Sequence, residues 1–317
     1  MLSLVDAGVV KRINVSKKQK DFGWNRLFGA VGFSAGSLFS GLVSDVFPEV
    51  KVNCFTGAFV VYVFFAAGTI VTAPFLFKLP AQGDVNEETK EKAEPVSLKK
   101  ELLKTLCKFE VVIFFITVFI MGILQSIYIS FTALRLKELQ SPTYLIGLTI
   151  SIAAISCLPT LSFASKFIGW FRGLWNTLLI CCASYSVRFI AFGYIENPWL
   201  VIPIHLLQAF GFGLYLVTAV LYVKSVAEPM IYTTMYSIMN TVFYGIGFIT
   251  ANIVGGQIFS RFGGRVLFTS CGLLAVCWSL LLFCYIVVRK HPCQEKKDGL
   301  SLSENEREMV SLARRES

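Results

Sequence analysis

Phe28-Gly29-Ala30-Val31-Gly32-Phe33, with Gly41 nine residues past Gly32, returns 215 residues later, where Phe243, Gly247, Phe248 and Gly256 hold the same offsets. Each copy lies in a long apolar segment, and five other apolar segments separate them. A period of six segments implies a parent architecture of two six-helix halves. Eight segments of spanning length can be read, at about 27–47, 54–78, 109–133, 143–165, 174–195, 199–223, 231–258 and 265–288. Each is near the ~20 apolar residues needed to cross the hydrocarbon layer. In lipid the backbone must satisfy its own hydrogen bonds, and apolar runs this long do so as helices. The expected class is an all-α membrane protein whose eight transmembrane helices correspond to helices 5–12 of a twelve-helix fold.

Composition agrees with a lipid solvent. The chain is 55% hydrophobic with 29 Phe and only 15% charged residues, well below the charge of a soluble domain. Orientation follows from the basic residues. With an even number of spans, both termini and alternate loops share a side. That side carries 23 of the 29 Lys and Arg, the opposite loops carry five, and Arg188 lies within a span. Such a bias marks the rich side, and so both termini, as cytoplasmic. The net charge of +9 then reflects basic loops against anionic lipid and calls for no nucleic-acid partner.

Four regions are expected. Residues 1–78 are a remnant of an N-terminal six-helix bundle, 79–108 a cytoplasmic linker, 109–288 a C-terminal six-helix bundle, and 289–317 a cytoplasmic tail. The apolar stub Met1 to Val10 precedes the basic run Lys11 to Lys20. It is too short to span and lacks the order of a secretory signal, so it reads as the cytoplasmic end of an earlier helix. In the linker, Leu98, Leu102, Leu103 and Leu106 form one apolar face ringed by Lys99, Lys100, Lys104 and Lys108, which suits a helix lying on the inner membrane surface. A solvated connector is the alternative. The tail holds Ser303-x-x-Glu306, the spacing of a capping box. The nine cysteines include no CxxC pair, so neither a disulfide framework nor a zinc site is indicated. Metals and other cofactors are not expected.

Within the spans, polar residues are the informative ones, because burying charge in a bilayer is costly. Arg188 lies mid-segment near Tyr185 and Tyr194, with no acidic residue in its own span. It is read as facing a cavity, with an interhelical hydrogen bond as the alternative. His205 and Gln208 are three apart and share a helix face. Gln125, Asn240, Asn252 and Gln257 either line a cavity or join helices, the second being more common. Pro74, Pro159 and Pro203 interrupt spans.

Several motifs resemble a known family. Arg26-Leu27-Phe28-Gly29-Ala30-Val31-Gly32-Phe33, preceded by Phe22-Gly23, looks like the opening of helix five in the lactose-permease-like branch of the major facilitator superfamily. Leu4-Val5-Asp6-Ala7 resembles the acidic helix-four segment before it. Arg188 through Asn197-Pro198-Trp199, Gln208, Gly213, Gly255-Gly256 and Arg261-Phe262-Gly263-Gly264-Arg265 look like a subgroup of the same superfamily. The resemblance implies that Asp6 and Arg26 match a sugar-binding charge pair, and that Arg188 matches the helix-nine arginine. It also places Gln208 and Gly211 where the proton-relay His and Glu stand, and His205 where a nearby Lys stands. A lactose-type relay is therefore not expected. Helices one to three and most of helix four would precede this chain, and a sealed cavity would need them.

The expected function is a secondary transporter of small solutes working by alternating access, with or without a coupling ion, represented by a fragment or short form. The candidate residues are Asp6, Arg26, Gln125, Arg188, His205, Gln208 and Asn240. The competing class is a non-transporting receptor or interaction protein on the same fold. An enzyme is disfavoured, since the spans hold no paired carboxylates for acid–base chemistry. The expected location is multi-pass in the plasma membrane.

Overall fold

The computed structural model describes residues 95–290 apart from Pro229, together with Gly32, Gly36, Val63, Ala66, Ala67 and Gly68, all six of them helical. The rest of the first two expected spans and the Ser303–Glu306 box lie outside the described residues.

The described residues are almost entirely helical. Helix α1 is Pro95–Leu106, α2 Phe109–Glu138, α3 Thr143–Ser162, α4 Ala164–Trp170 and α5 Leu174–Tyr194. A 3₁₀ turn at Pro198–Leu200 leads into α6, Val201–Leu206. A π-helical turn at Ala209–Gly213 then leads into α7, Leu214–Val226. Helix α8, Tyr232–Asn240, passes through a second π-helical segment, Thr241–Gly247, into α9, Phe248–Lys290. Among the described residues, five stretches are long and apolar enough to cross a membrane, the last being Tyr232–Arg289 with 58 residues.

That last stretch reverses direction at Gly263, whose backbone is non-helical (φ 78°, ψ 175°). Contacts with α2 show the reversal. Along the first limb Gly122 meets Gly247, Ile127 meets Gly255 and Phe131 meets Phe259, so this limb runs parallel to α2. Along the second, Glu138 meets Gly264, Thr117 meets Trp278 and Glu110 meets Arg289, so that limb runs antiparallel. Residues 232–262 and 264–290 are each long enough at ~1.5 Å per residue to cross the ~30 Å hydrocarbon layer. Expected spans seven and eight are thus joined by a single glycine corner.

Other boundaries shift for local reasons. Helix α2 runs five residues past the expected end. Arg135 and Lys137 occupy its last turn, where basic side chains complement the helix dipole. It closes with Gln140 at φ 55°, while Ser141 N–H donates to Leu136 O and Gln140 N–H to Lys137 O, a Schellman cap. The expected loop around Lys166 is helix α4, separated from α3 by a break at Phe163 (φ −111°, ψ 22°). The linker helix α1 forms as expected, but its packed face differs: Leu102 and Leu106 meet the core while Leu103 is exposed.

The core packs α2, α5, α7 and both limbs of α9 around Phe114, Leu178, Phe189, Phe192 and Phe268. Glycines let the backbones approach: a Cβ on Gly272 would lie 2.6 Å from Ile190 Cγ1, and one on Gly193 would lie 2.6 Å from Thr269 Oγ1. Large apolar side chains such as Ile249, Ile253, Leu280, Leu281 and Val288 face outward. A water-soluble monomer rarely exposes so much apolar surface; lipid accommodates it.

Candidate functional site

Three polar pairs, each spaced by three residues, converge between the helices: Gln125 and Tyr128 on α2, Tyr185 and Arg188 on α5, and His205 in α6 with Gln208 just beyond it. Spacing by three puts both members of a pair on one helix face. All six are buried, Arg188 to 2% exposure.

Arg188 Nη1 donates to Gln208 Oε1. Gln208 Nε2 donates to Gln125 Oε1 at 3.3 Å, and the Tyr185 hydroxyl donates to that same oxygen. The guanidinium lies over the Tyr128 ring, with Cζ 3.9 Å from the ring centroid. His205 meets Tyr128 edge-on at 5.3 Å and Phe192 at 5.6 Å between ring centroids.

The backbone that carries His205 and Gln208 is irregular. Pro203 within α6 has no N–H to donate, and Leu207 N–H bonds Ile204 O, three residues back. The π-helical turn begins directly after Gln208. Neighbouring helices add partners to two of its carbonyls, of which Leu207 O also accepts from Gly211 N–H at 3.0 Å. Ser184 Oγ donates to Leu207 O at 2.9 Å and Cys157 Sγ to Gln208 O at 3.6 Å. Irregular backbone at membrane depth requires such partners. The position that the resemblance matches to a relay carboxylate is Gly211, and a Cβ there would lie 3.0 Å from the Tyr185 ring. The ring occupies the space a longer side chain would need.

The energetics are close to balance. Placing an arginine at the centre of a membrane helix costs about 2.5–3.5 kcal/mol on insertion scales. A hydrogen bond to a charged group returns about 1.5–3 kcal/mol, and a desolvated cation–π contact about 2 kcal/mol. The cluster therefore holds a charged guanidinium without a carboxylate. Among the described residues the ion pairs are Arg135–Glu138 at 3.0 Å and Arg289–Glu110 at 3.3 Å, and neither involves Arg188. Four polar atoms in the cluster are buried without a well-formed hydrogen bond: Arg188 Nη2, Tyr128 Oη and both ring nitrogens of His205.

Of the residues expected from sequence, Arg188, Gln208, Gln125 and His205 come together. Arg188 is packed against neighbouring side chains rather than open to solvent. Gln125 joins helices, as does Asn252, whose Nδ2 donates to Ser126 Oγ at 3.0 Å. Tyr194 is remote from the cluster and lies under Arg265. Asn240 stands apart, half-buried beside a cavity of about 20 Å³ lined also by Tyr215, Tyr236, Phe243 and Tyr244. Gln257 is exposed. Asp6 and Arg26 lie outside the described residues. Sequence reasoning missed Tyr128; its spacing of three from Gln125 was the available signal.

Comparison with known proteins matches residues 1–270 to the family described as the MFS_1 like family. The chain is 24% identical over 258 residues, 80% of its length, to major facilitator superfamily domain-containing protein 6-like protein B of Xenopus laevis, of which it covers 41%. It is 24% identical over 81% of its length to the uncharacterized transporter YwbF of Bacillus subtilis (strain 168), covering 60% of that protein. It is 30% identical over 48% of its length to the maltose permease of Geobacillus stearothermophilus, covering 39%. The chain thus spans about two-fifths of the first of these relatives. A family match over most of the chain, on an all-α framework of membrane-length helices, makes this an integral, multi-pass membrane protein that belongs to the MFS_1 like family of the major facilitator superfamily.

Proposed function

We propose that the polypeptide containing this chain is a secondary transporter of small solutes that works by alternating access, with Arg188, Gln208, Gln125 and His205 forming part of its solute or coupling site. The observation that carries this reading is the buried guanidinium of Arg188, held by Gln208 and Tyr128 without a carboxylate partner among the described residues. A charge kept in apolar surroundings at a cost is a mark of function in membrane helices. Relatives named as a transporter and a maltose permease support the transport class. In this reading the chain supplies helices 5–12 of a twelve-helix fold, both termini are cytoplasmic and the location is the plasma membrane. Asp6 and Arg26 contribute a charge pair from the N-terminal half. The protein is a carrier rather than an enzyme.

A second reading, a non-transporting receptor or interaction protein on the same fold, draws on the close packing of Arg188 at 2% exposure. One experiment separates the two. The native polypeptide, first sized by immunoblot and peptide mass spectrometry, is reconstituted into vesicles and assayed for solute uptake beside its Arg188→Ala variant. Uptake that disappears in the variant, with membrane insertion intact, supports the transporter. Uptake unaltered by Arg188→Ala removes the role given to that residue, and no uptake of any solute favours the second reading.

A further inference from the structure

We propose that the group recognised at this site is a monoanion, a carboxylate carried by a small organic solute. This inference rests on the reading of the Arg188 cluster as a solute site.

The argument is one of unfilled hydrogen-bonding capacity. Buried polar atoms in folded proteins are nearly always partnered, and each exception calls for an explanation. Here the exceptions are not scattered. Arg188 Nη2, Tyr128 Oη, and Nδ1 and Nε2 of His205 are all buried without a well-formed hydrogen bond, the Tyr128 hydroxyl only leaning toward the guanidinium and the His205 ring toward the Val201 carbonyl, and the three side chains are contiguous. Tyr128 lies 3.9 Å from the guanidinium carbon and 5.3 Å from the His205 ring, centroid distances in each case.

These groups share a chemistry. The guanidinium is a donor only, the tyrosine hydroxyl can donate, and an imidazole donates through at least one nitrogen. The acceptors nearby are already engaged: Gln208 Oε1 takes Arg188 Nη1, and Gln125 Oε1 takes both Tyr185 and Gln208. What the cluster lacks is an acceptor with negative charge. A carboxylate offers two oxygens and about four lone-pair sites, enough for the three unfilled donors. Charge sets the valence. One guanidinium neutralises one negative charge; a dianion would keep an uncompensated charge in apolar surroundings, which is costly. Neutral sugars offer hydroxyls but leave the guanidinium charge unmatched.

The two glutamines have a positioning role. They fix Nη1 and so aim the remaining guanidinium edge, with Tyr128 supporting its face. The irregular turn after Gln208 gives the segment bearing His205 and Gln208 a backbone that differs from a straight helix, held by Ser184 and Cys157 from two neighbours. Opening of the packed site by movement of this segment would admit the solute.

The test uses the native polypeptide in detergent and in vesicles, with acetate, pyruvate and lactate as anionic probes and maltose, lactose and glycerol as neutral ones. Thermal unfolding reports binding, and uptake of the labelled probes reports transport. The expected result is a saturable rise in Tm with one or more carboxylates and none with the neutral probes. In Arg188→Gln the apparent affinity for that carboxylate falls about tenfold to a hundredfold, as expected for loss of a hydrogen bond to a charged group. Arg188→Lys, which keeps the charge but loses the forked donors, gives an intermediate affinity. Carboxylate binding without uptake would uphold the anion site and remove the transport reading. Uptake or stabilisation by neutral probes alone would overturn the anion site and leave transport standing. A carboxylate response unchanged in Arg188→Gln would also overturn it.

Discussion

Gly122 of α2 and Gly247 of the second π-helical segment meet backbone to backbone: a Cβ on Gly247 would lie 3.1 Å from Gly122 Cα, and one on Gly122 would lie 2.6 Å from Phe243 O. Backbone cannot retreat as a flexible side chain can. Gly122→Ala and Gly247→Ala are each expected to destabilise the fold by about 1–3 kcal/mol, the usual cost of overpacking. Gly256, also part of the sequence repeat, has no heavy atom within 4 Å of its would-be Cβ, so Gly256→Ala should be neutral or stabilising by up to about 1 kcal/mol. Thermal unfolding of the three variants in detergent checks this, and equal Tm values for all three would refute the close contact.

Gln208 and Arg188 should behave as one unit. Gln208→Leu leaves Nη1 as well as Nη2 of a buried guanidinium without a partner, at a cost of about 1–3 kcal/mol or more. In Arg188→Leu the charge is gone, and the further change Gln208→Leu should then cost less. The double variant is therefore expected to be less destabilised than the sum of the two singles by at least about 0.5 kcal/mol. Additive Tm shifts would show that the two side chains contribute independently.

The cluster was partly legible in the sequence because charge is rare in these segments. Arg188 stands out by type alone, and His205 and Gln208 by their shared face. Tyr128 does not, since aromatic residues make up 14% of the chain and most of those in the spans only pack. Its role depends on which helices adjoin, and hydropathy carries no such information. The spans were legible because lipid requires length and apolarity together. Their joints were less so. Basic residues at the end of α2 read as loop although helix dipoles favour them there, and Gly263 turns the chain in one residue where six had been allotted to a loop. The closed packing around Arg188 stood in the sequence only as the alternative of an interhelical hydrogen bond, because a residue's type does not tell whether its surroundings are filled.

The corner at Gly263 is supported from outside. Glu138, at the end of α2, accepts from Gly264 N–H through Oε1 and Oε2 at 3.1 and 3.2 Å and pairs with Arg135 Nη1 at 3.0 Å. Arg135 Nη2 in turn donates to Gly193 O at 3.2 Å, so one carboxylate and one guanidinium tie the ends of α2, α5 and the second limb of α9. The carboxylate serves the start of that limb as an N-terminal cap supplied from another helix. Glu138→Ala should lower stability by about 1–2 kcal/mol, the range for loss of a cap, and Glu138→Gln by less because an acceptor remains. Gly263→Ala adds a separate cost, since φ 78° with ψ 175° is a backbone region almost reserved for glycine. Retention of the wild-type Tm in both Glu138→Ala and Gly263→Ala would mean that the corner is held in some other way.

Cysteine reactivity distinguishes lipid-facing from water-facing surface. Cys277 and Cys284 are exposed on the second limb of α9, and Cys107 is exposed at the end of α1, whereas Cys157, Cys181, Cys182 and Cys271 are buried. If the outward face of that limb contacts lipid, Cys277 and Cys284 are hidden from a charged reagent despite their exposure. A membrane-impermeant charged maleimide applied to open membrane sheets should label Cys107 and leave these two untouched. After solubilisation and unfolding all nine cysteines should react, with peptide mass spectrometry assigning each site. Labelling of Cys277 in intact membranes by the charged reagent would place that face against water or a partner protein. The outward-facing Leu280, Leu281 and Val288 on the same limb argue for the first outcome.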